Sequence, residues 1–163
     1  MIFGMTPFTF IHVLLSLIGI AAGLVVVRAL LASNLSKAWT TTFLVGTAAT
    51  SLTGFLFPFH GVTPAILLGV LSLIVLAAAV AGRYVFHLTG PWRWIYAAGS
   101  VTALYFNVFV LIVQAFEKLP ALHALAPTTP PSGPAFSVVQ GLTLVVFVVM
   151  GVLAVRRFRP AGA

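Results

Sequence analysis

Long apolar runs separated by short polar breaks are the dominant pattern of this sequence. Five such runs follow one another along the chain: 8–31, 39–57, 64–86, 93–116 and 136–155. At a rise of about 1.5 Å per residue, each is long enough to cross a hydrocarbon layer about 30 Å thick. The runs do not alternate between apolar and polar residues, which excludes the strands of an outer-membrane barrel. They predict an all-α integral membrane bundle of five transmembrane helices.

The breaks between the runs carry residues that end helices. Two of them are the proline-bounded segment "PFHGVTP" (58–64) and the turn "HLTGPW" (87–92). The proline-rich "PTTPPSGP" (127–134) closes the one longer loop, 117–135. Proline and glycine interrupt helices, so these segments are predicted turns. The chain therefore has the pattern of a single transmembrane domain, residues 1–163.

Composition agrees with a lipid environment. Of the 163 residues, 61% are hydrophobic and 6% are charged, whereas a soluble domain carries about 25% charged residues. The absence of cysteine excludes disulfides, thiolate metal sites and cysteine nucleophiles.

The basic residues predict an orientation. If the N-terminus lies outside the cytoplasm, only Lys118 among the eight basic residues is on the outer side. The cytoplasmic side then holds Arg28, Lys37, Arg83, Arg93, Arg156, Arg157 and Arg159. This bias follows the positive-inside rule and places the C-terminus in the cytoplasm. The scattered cations favour anionic lipid headgroups at the cytoplasmic face over nucleic acid as the partner.

Three of the four histidines and the one carboxylate fall on the opposite, outer side. They are His12, His60, His123 and Glu117, and only His87 lies on the cytoplasmic side. The four outer residues have the chemistry of metal ligands, but none shows the close histidine spacing of a metal motif. Haem would require two axial ligands at matching depth, and no run contains a suitable histidine pair.

Polar residues within the runs define a candidate ligand pocket. In the fourth run Ser100, Asn107 and Gln114 recur every seven residues on one helix face, and Gln140 enters the fifth run at a depth similar to that of Gln114. One hypothesis is an outer-leaflet pocket that holds quinone, haem or a metal. It would be formed by His12, Asn107, Gln114 and Gln140, with His60 as its cap. The alternative is interhelical hydrogen bonding, including a Gln114–Gln140 contact, without any ligand.

Small residues predict where helices approach closely. Gly19 and Gly23 form a G-x-x-x-G motif in the first run. The second run contains Gly46 and Gly54 among several threonines. Both patterns favour helix packing in membranes, and they lead us to expect the second run at the centre of the bundle.

Three functions remain open from the sequence. Catalytic signatures such as G-x-S-x-G, a phosphate loop or H-E-x-x-H are absent, which favours a non-catalytic accessory, assembly or scaffolding component that binds lipid, other membrane proteins or itself. The alternative is a small-ligand or redox protein built on the outer pocket. A small transporter or channel is the third, suggested by the polar face of the fourth run.

Three segments carry a resemblance. They are "FPFHGVTP", "AGRYVFHLTGPWRWIY" and "ALYFNVFVLIVQAF", and they resemble small polytopic bacterial inner-membrane proteins that have no named function. The resemblance implies a bacterial inner membrane and a bundle of several helices. It also makes His60 and Asn107 the first residues to test.

Overall fold

The computed structural model describes residues 6–58 and 64–159, and within them the secondary structure is helical, without strands. Six α-helices follow one another: α1 Pro7–Leu31, α2 Lys37–Gly54, α3 Pro64–Val80, α4 Trp92–Lys118, the single turn α5 Pro120–His123, and α6 Pro134–Arg157. A π-helical turn, Ala81–Val85, extends α3. The five long helices correspond to the five apolar runs.

Helix boundaries follow from local chemistry. The Thr6 side chain accepts a hydrogen bond from the Thr9 amide and caps α1, with Pro7 in the first turn. α6 begins at Pro134, after Gly133 with φ +107°. Proline suits a first turn because the missing amide would have no helical partner there. α2 ends at Gly54 and not at residue 57 as predicted, because Phe55 and Leu56 form a turn that bonds back to Leu52 and Thr53.

Neighbouring long helices pack in antiparallel pairs. Gly19 of α1 lies against Gly46 of α2. Ser51 of α2 bonds Ser72 of α3. Further contacts join α3 to α4 and α4 to α6: Gly99 with Val75, and Tyr105 with Phe147. In each pair the residue number rises on one helix as it falls on the other, so α1, α3 and α6 run one way and α2 and α4 the other.

Four helices are long and apolar enough to cross a membrane: Pro7–Leu31, Ala65–Val85, Trp92–Lys118 and Pro134–Arg157. The prediction of a helical membrane bundle is therefore confirmed at this level. α2 differs because its 18 residues include Lys37 and six threonines, which lower its hydropathy.

The helix at the centre of the bundle is α4. It contacts α1, α2, α3, α5 and α6. By contrast, α2 lies between α1 and α3 and contacts α4 at only a few positions. The expectation that the second run is central was wrong. Small and hydroxylated residues on α2 bring two neighbours close, but α4 buries a wider band of side chains, including Tyr96, Ala97, Ala103 and Leu104.

Because the helices alternate in direction, one end of the bundle collects seven of the eight basic residues. We call it the cationic end, and it is defined by Arg28, Lys37, Arg83, Arg93, Arg156, Arg157 and Arg159. The opposite end carries Lys118 and Glu117, the one acidic residue of the sequence. Trp39, Trp92 and Trp94 belong to the cationic end, as expected for an interfacial aromatic belt.

The end of α6 is fixed to the cationic end of the bundle. Phe158 is fully buried and packs on the Tyr96 ring, with ring centroids 5.9 Å apart. The Ser33 hydroxyl donates to the Arg157 carbonyl at 2.7 Å and accepts from the Arg159 amide at 2.8 Å. The Arg93 guanidinium donates to the Phe158 carbonyl. These contacts satisfy backbone groups at the α6 C-terminus that have no helical partner.

Gly23 marks the tightest approach of side chains to a glycine of α1. A Cβ atom there would lie 2.6 Å from Leu104 Cδ1 and 2.9 Å from Phe43 Cδ2. By contrast, a Cβ on Gly141 of α6 would meet nothing within 4 Å.

We expect Gly23→Ala to lower the free energy of unfolding by about 1–3 kcal/mol, because it overpacks a closed site. Gly141→Ala is the matched control and should leave stability unchanged or raise it by about 0.5–1 kcal/mol, through helix propensity alone. SDS-induced unfolding in mixed micelles, followed by circular dichroism, measures both. Equal effects of the two substitutions would contradict the close approach.

Candidate functional site

The candidate site consists of polar side chains that meet between helices. One face of α2 carries four buried hydroxyls, and they belong to Thr40, Thr47, Thr50 and Ser51. Spacings of seven, three and four residues from Thr47 put them on one stripe. With Thr53, the hydroxyls extend over about 20 Å of helix.

Asn107 is the central polar residue of α4 and is 7% exposed. Its amide nitrogen donates to the Thr47 hydroxyl at 3.2 Å. Ser51 bonds Ser72 at a comparable level of the bundle, with 3.2 Å between the hydroxyl oxygens. We call these four residues, with Thr50, the Asn107 cluster. Each pair joins two helices, and burial makes such bonds costly to leave unmade.

The geometry around His12 determines which ring nitrogen carries the proton. The Thr53 hydroxyl oxygen lies 2.8 Å from His12 Nδ1 and 2.7 Å from the Ala49 carbonyl oxygen. Because a carbonyl can only accept, the single hydroxyl hydrogen is donated to Ala49. Thr53 therefore accepts from His12, and Nδ1 carries the proton. In the neutral imidazole, Nε2 then presents a lone pair. The ring is half-buried and lies edge-on to Phe57, with centroids 5.0 Å apart.

A second group of hydroxyls lies nearer the cationic end. Tyr96, Thr40 and Ser100 are all fully buried, and the Tyr96 hydroxyl lies beside the other two. None of the three makes a hydrogen bond of normal geometry. The Arg83 guanidinium lies 5.6 Å from the centre of the Tyr96 ring, a cation–π arrangement. We call these four residues the Tyr96 cluster.

An apolar layer separates the two clusters. Phe43 stands between Thr40 and Thr47 on α2, and Leu104 stands between Ser100 and Asn107 on α4. Both side chains are fully buried and meet at Gly23. The hydroxyl stripe on α2 is therefore interrupted by close-packed carbon between Thr40 and Thr47.

The predicted pocket residues occupy separate places. Gln140 donates to the Phe109 carbonyl at 3.1 Å, while the exposed Gln114 donates to Glu117 at 3.3 Å. No hydrogen bond joins the two glutamines in the described residues. His12 bonds α2 and not either glutamine, and His60 lies outside the described residues.

The candidate metal ligands are likewise dispersed. Among the described residues, no group of three or more His, Cys, Asp or Glu side chains could hold a metal ion. His123 ends the short α5, and its Nδ1 is buried without a hydrogen-bond partner. Glu117 belongs to the last turn of α4, where it accepts from Gln114.

A surface groove between α4 and α6 was not expected from the sequence. Its volume is about 280 Å³, and α4 contributes Ala98, Val101, Thr102, Tyr105 and Phe106. Leu144, Phe147, Val148 and Gly151 form the α6 wall. The signal was Gly151, whose missing side chain leaves space opposite Val101; an ideal Cβ would lie 3.7 Å from Val101 Cγ1. Only the pairing of α4 with α6 makes that space a groove.

We expect a coupling energy of about 0.6–1.7 kcal/mol between Asn107→Leu and Thr47→Val in a double-mutant cycle, because the two side chains share one buried hydrogen bond. SDS-induced unfolding of the four proteins measures it. Gln114→Leu on the same helix is the control, and it should show no coupling to Thr47→Val because its amide is exposed and bonds Glu117. Additive effects of Asn107→Leu and Thr47→Val would rule out the contact.

Comparison with known proteins adds no relative from which a role could be taken. The resemblance to polytopic bacterial inner-membrane proteins stays a prediction, and the functional argument depends on the geometry of the chain itself. No protein-family model, curated protein sequence or solved structure gives a significant match to this chain.

Proposed function

We propose that the chain crosses the bacterial inner membrane five times. Support comes from the alternation of the helices, because α1 and α3 run in the same direction and are joined through α2. Two crossings in the same direction require a return between them, and α2 is the helix available for it. Its 18 residues span about 27 Å, close to the hydrocarbon thickness of about 30 Å. Contacts with α1, α3 and α4 bury three of its threonines, Thr40, Thr47 and Thr50.

The same proposal gives the orientation. Seven basic residues collect at one end and one at the other, and cytoplasmic loops carry the excess of lysine and arginine. The cationic end is therefore assigned to the cytoplasm. This puts the N-terminus outside, the C-terminus in the cytoplasm, and His12, His123 and Glu117 toward the outer face.

Single-cysteine labelling tests the topology without background, because the chain has no cysteine. A membrane-impermeant maleimide added to intact spheroplasts should label Leu56→Cys and Leu125→Cys, and label Ser36→Cys and Thr89→Cys only after lysis. Ser36 and Leu56 flank α2, so equal labelling of these two positions in intact spheroplasts would mean that α2 does not cross. If only Ser36→Cys and Thr89→Cys were labelled in intact spheroplasts, the orientation would be the opposite of the one proposed.

For the function itself, we propose a non-catalytic accessory or scaffolding component that binds lipid or other membrane proteins. The observation that carries this proposal is a set of buried hydrogen bonds that polar side chains make from one helix to the next. Three such hydrogen bonds join neighbouring helices: Asn107 to Thr47, Ser51 to Ser72, and Gln140 to the α4 backbone. Such bonds stabilise helix association in lipid.

The outward faces of the bundle support the same reading. α6 is the least buried of the four apolar helices: 17% of its most apolar 18-residue segment lies inside the bundle. Large apolar side chains such as Val138, Leu142 and Val145 are about three-fifths exposed. In water such a surface would mark an interaction site; in a bilayer it meets lipid chains or another transmembrane helix.

His12 favours a second candidate, the small-ligand or redox protein. Its Nε2 lone pair follows from the Thr53 contact, and a neutral imidazole of this tautomer suits a metal, a haem iron or the hydroxyl of a reduced quinone. Against this candidate stands the dispersal of Gln114 and Gln140. The transporter hypothesis is disfavoured by the apolar layer of Phe43 and Leu104 across the hydroxyl stripe.

Purified protein separates the first two functions. If the protein is an accessory component, the detergent-solubilised preparation should show no visible absorption band and less than stoichiometric metal and extractable quinone. Mild detergent should also retain an assembly larger than the 17.2 kDa chain on native gels, and His12→Ala should leave that assembly intact. A stoichiometric chromophore, metal or quinone that His12→Ala removes would instead establish the ligand-binding function.

A further inference from the structure

We propose that the cationic end holds one anionic phospholipid in a defined site. Its phosphate binds the arginines at the end of α6, and one acyl chain lies in the α4–α6 groove. The inference rests on the proposed membrane function and deepens it by naming a lipid class and the residues that bind it.

The cationic end has no acidic side chain to neutralise it. Glu117, the one acidic residue of the sequence, lies at the far end of α4, 24 residues after Arg93, a distance of about 36 Å along the helix. Attraction over that distance is screened at physiological salt, where the Debye length is about 8 Å. No acidic side chain of the protein therefore offsets these arginines, and the phosphate of an anionic lipid can do so.

Three arginines at the end of α6 are free to supply that attraction. Arg156, Arg157 and Arg159 are exposed, whereas Arg93 already donates to the Phe158 carbonyl. Ser33 fixes the backbone of this segment through Arg157 and Arg159. The guanidinium groups therefore extend from a fixed base, and guanidinium matches the geometry of phosphate oxygens.

The groove lies at the depth of an acyl chain in the same leaflet. On α6 it runs from Gly151 to Leu144, which are 6 and 13 residues from the end of the helix at Arg157. These positions lie about 9 and 20 Å below the cationic end. One leaflet contributes about half of the 30 Å hydrocarbon core. A lipid whose phosphate meets the arginines therefore has its chain at the depth of the groove.

The lining of the groove suits an acyl chain. Its walls are mainly apolar, its volume is about 280 Å³, and it follows residues 98–106 of α4 and 144–151 of α6, a length of about 12 Å. At the cationic side of the groove stands Trp94, four residues before Ala98 on the same face of α4 and 48% exposed. A tryptophan there suits the boundary between headgroup and chain.

Trp94 also provides the measurement. The variant Trp39→Phe/Trp92→Phe retains Trp94 alone, and Trp92→Phe/Trp94→Phe retains Trp39, which is exposed at the same end on α2. Each is reconstituted into phosphatidylcholine vesicles that contain chain-brominated phosphatidylglycerol or chain-brominated phosphatidylcholine, and fluorescence quenching gives the relative association of the two lipids at each tryptophan.

In low salt, we expect the association of phosphatidylglycerol relative to phosphatidylcholine to be at least about fivefold higher at Trp94 than at Trp39. Each of Arg156→Gln, Arg157→Gln and Arg159→Gln should reduce that ratio at Trp94 by up to about fivefold. Raising the salt concentration should reduce it as well. Gly151→Leu should lower quenching of Trp94 by both lipids, because it fills the groove. A Cβ at Gly151 makes only ordinary contact, at 3.7 Å from Val101, so this variant should fold.

Two results would overturn the site. One is equal preference for phosphatidylglycerol at Trp94 and Trp39. The other is a preference at Trp94 that persists when all three arginines are replaced. Either result would mean that the lipid at Trp94 is ordinary annular lipid and not bound in a defined site. Vesicle flotation separates this failure from that of the proposed function: protein that floats with the vesicles but shows no preference refutes the site alone, and protein that does not float refutes both.

Discussion

The absence of water in hydrocarbon is the constraint on which the rest of this structure depends. A polar side chain in that medium must find its hydrogen-bond partner inside the protein, or its burial is costly. Asn107 and Thr47 meet that requirement across α4 and α2, and Ser51 and Ser72 meet it across α2 and α3. These bonds act as connectors between helices whose apolar faces, by themselves, are equally well solvated by lipid.

The same constraint explains why the least apolar helix lies where it does. α2 carries hydroxyls along much of its length and would be a poor neighbour for lipid on every side. Close approach to α1, made possible where Gly46 meets Gly19, and contact with α3 shield that face. The cations obey the complementary rule: they lie at helix ends, where headgroups and water solvate them, and Phe158 and Ser33 hold the last of these ends in place.

The candidate site shows how far helix-face reasoning extends. The seven-residue spacing correctly put Ser100 and Asn107 on a buried face of α4. It failed for Gln114 one further step along, where the side chain is exposed and its amide donates to Glu117, although nearby Phe116 is buried against Phe136. Residue type and position make His12 a candidate ligand-binding residue from the sequence. Its tautomer follows only from the hydrogen bond that Thr53 also makes to the Ala49 carbonyl. The α4–α6 groove could not be predicted from the sequence, because the residues of neither wall form an unusual pattern by themselves.

Hydropathy and the placement of lysine and arginine determined, from the sequence alone, the helical class, the number and approximate bounds of the long helices, and the end at which the charge collects. Each depends on the free energy of transfer of a short segment, which its own residues set. Tertiary structure decided which helix is central, which polar groups pair, where Gly23 closes the bundle and where Gly151 leaves it open. Those outcomes depend on the shapes of two or more helices in contact, and residues far apart in the sequence share them only after the chain has folded.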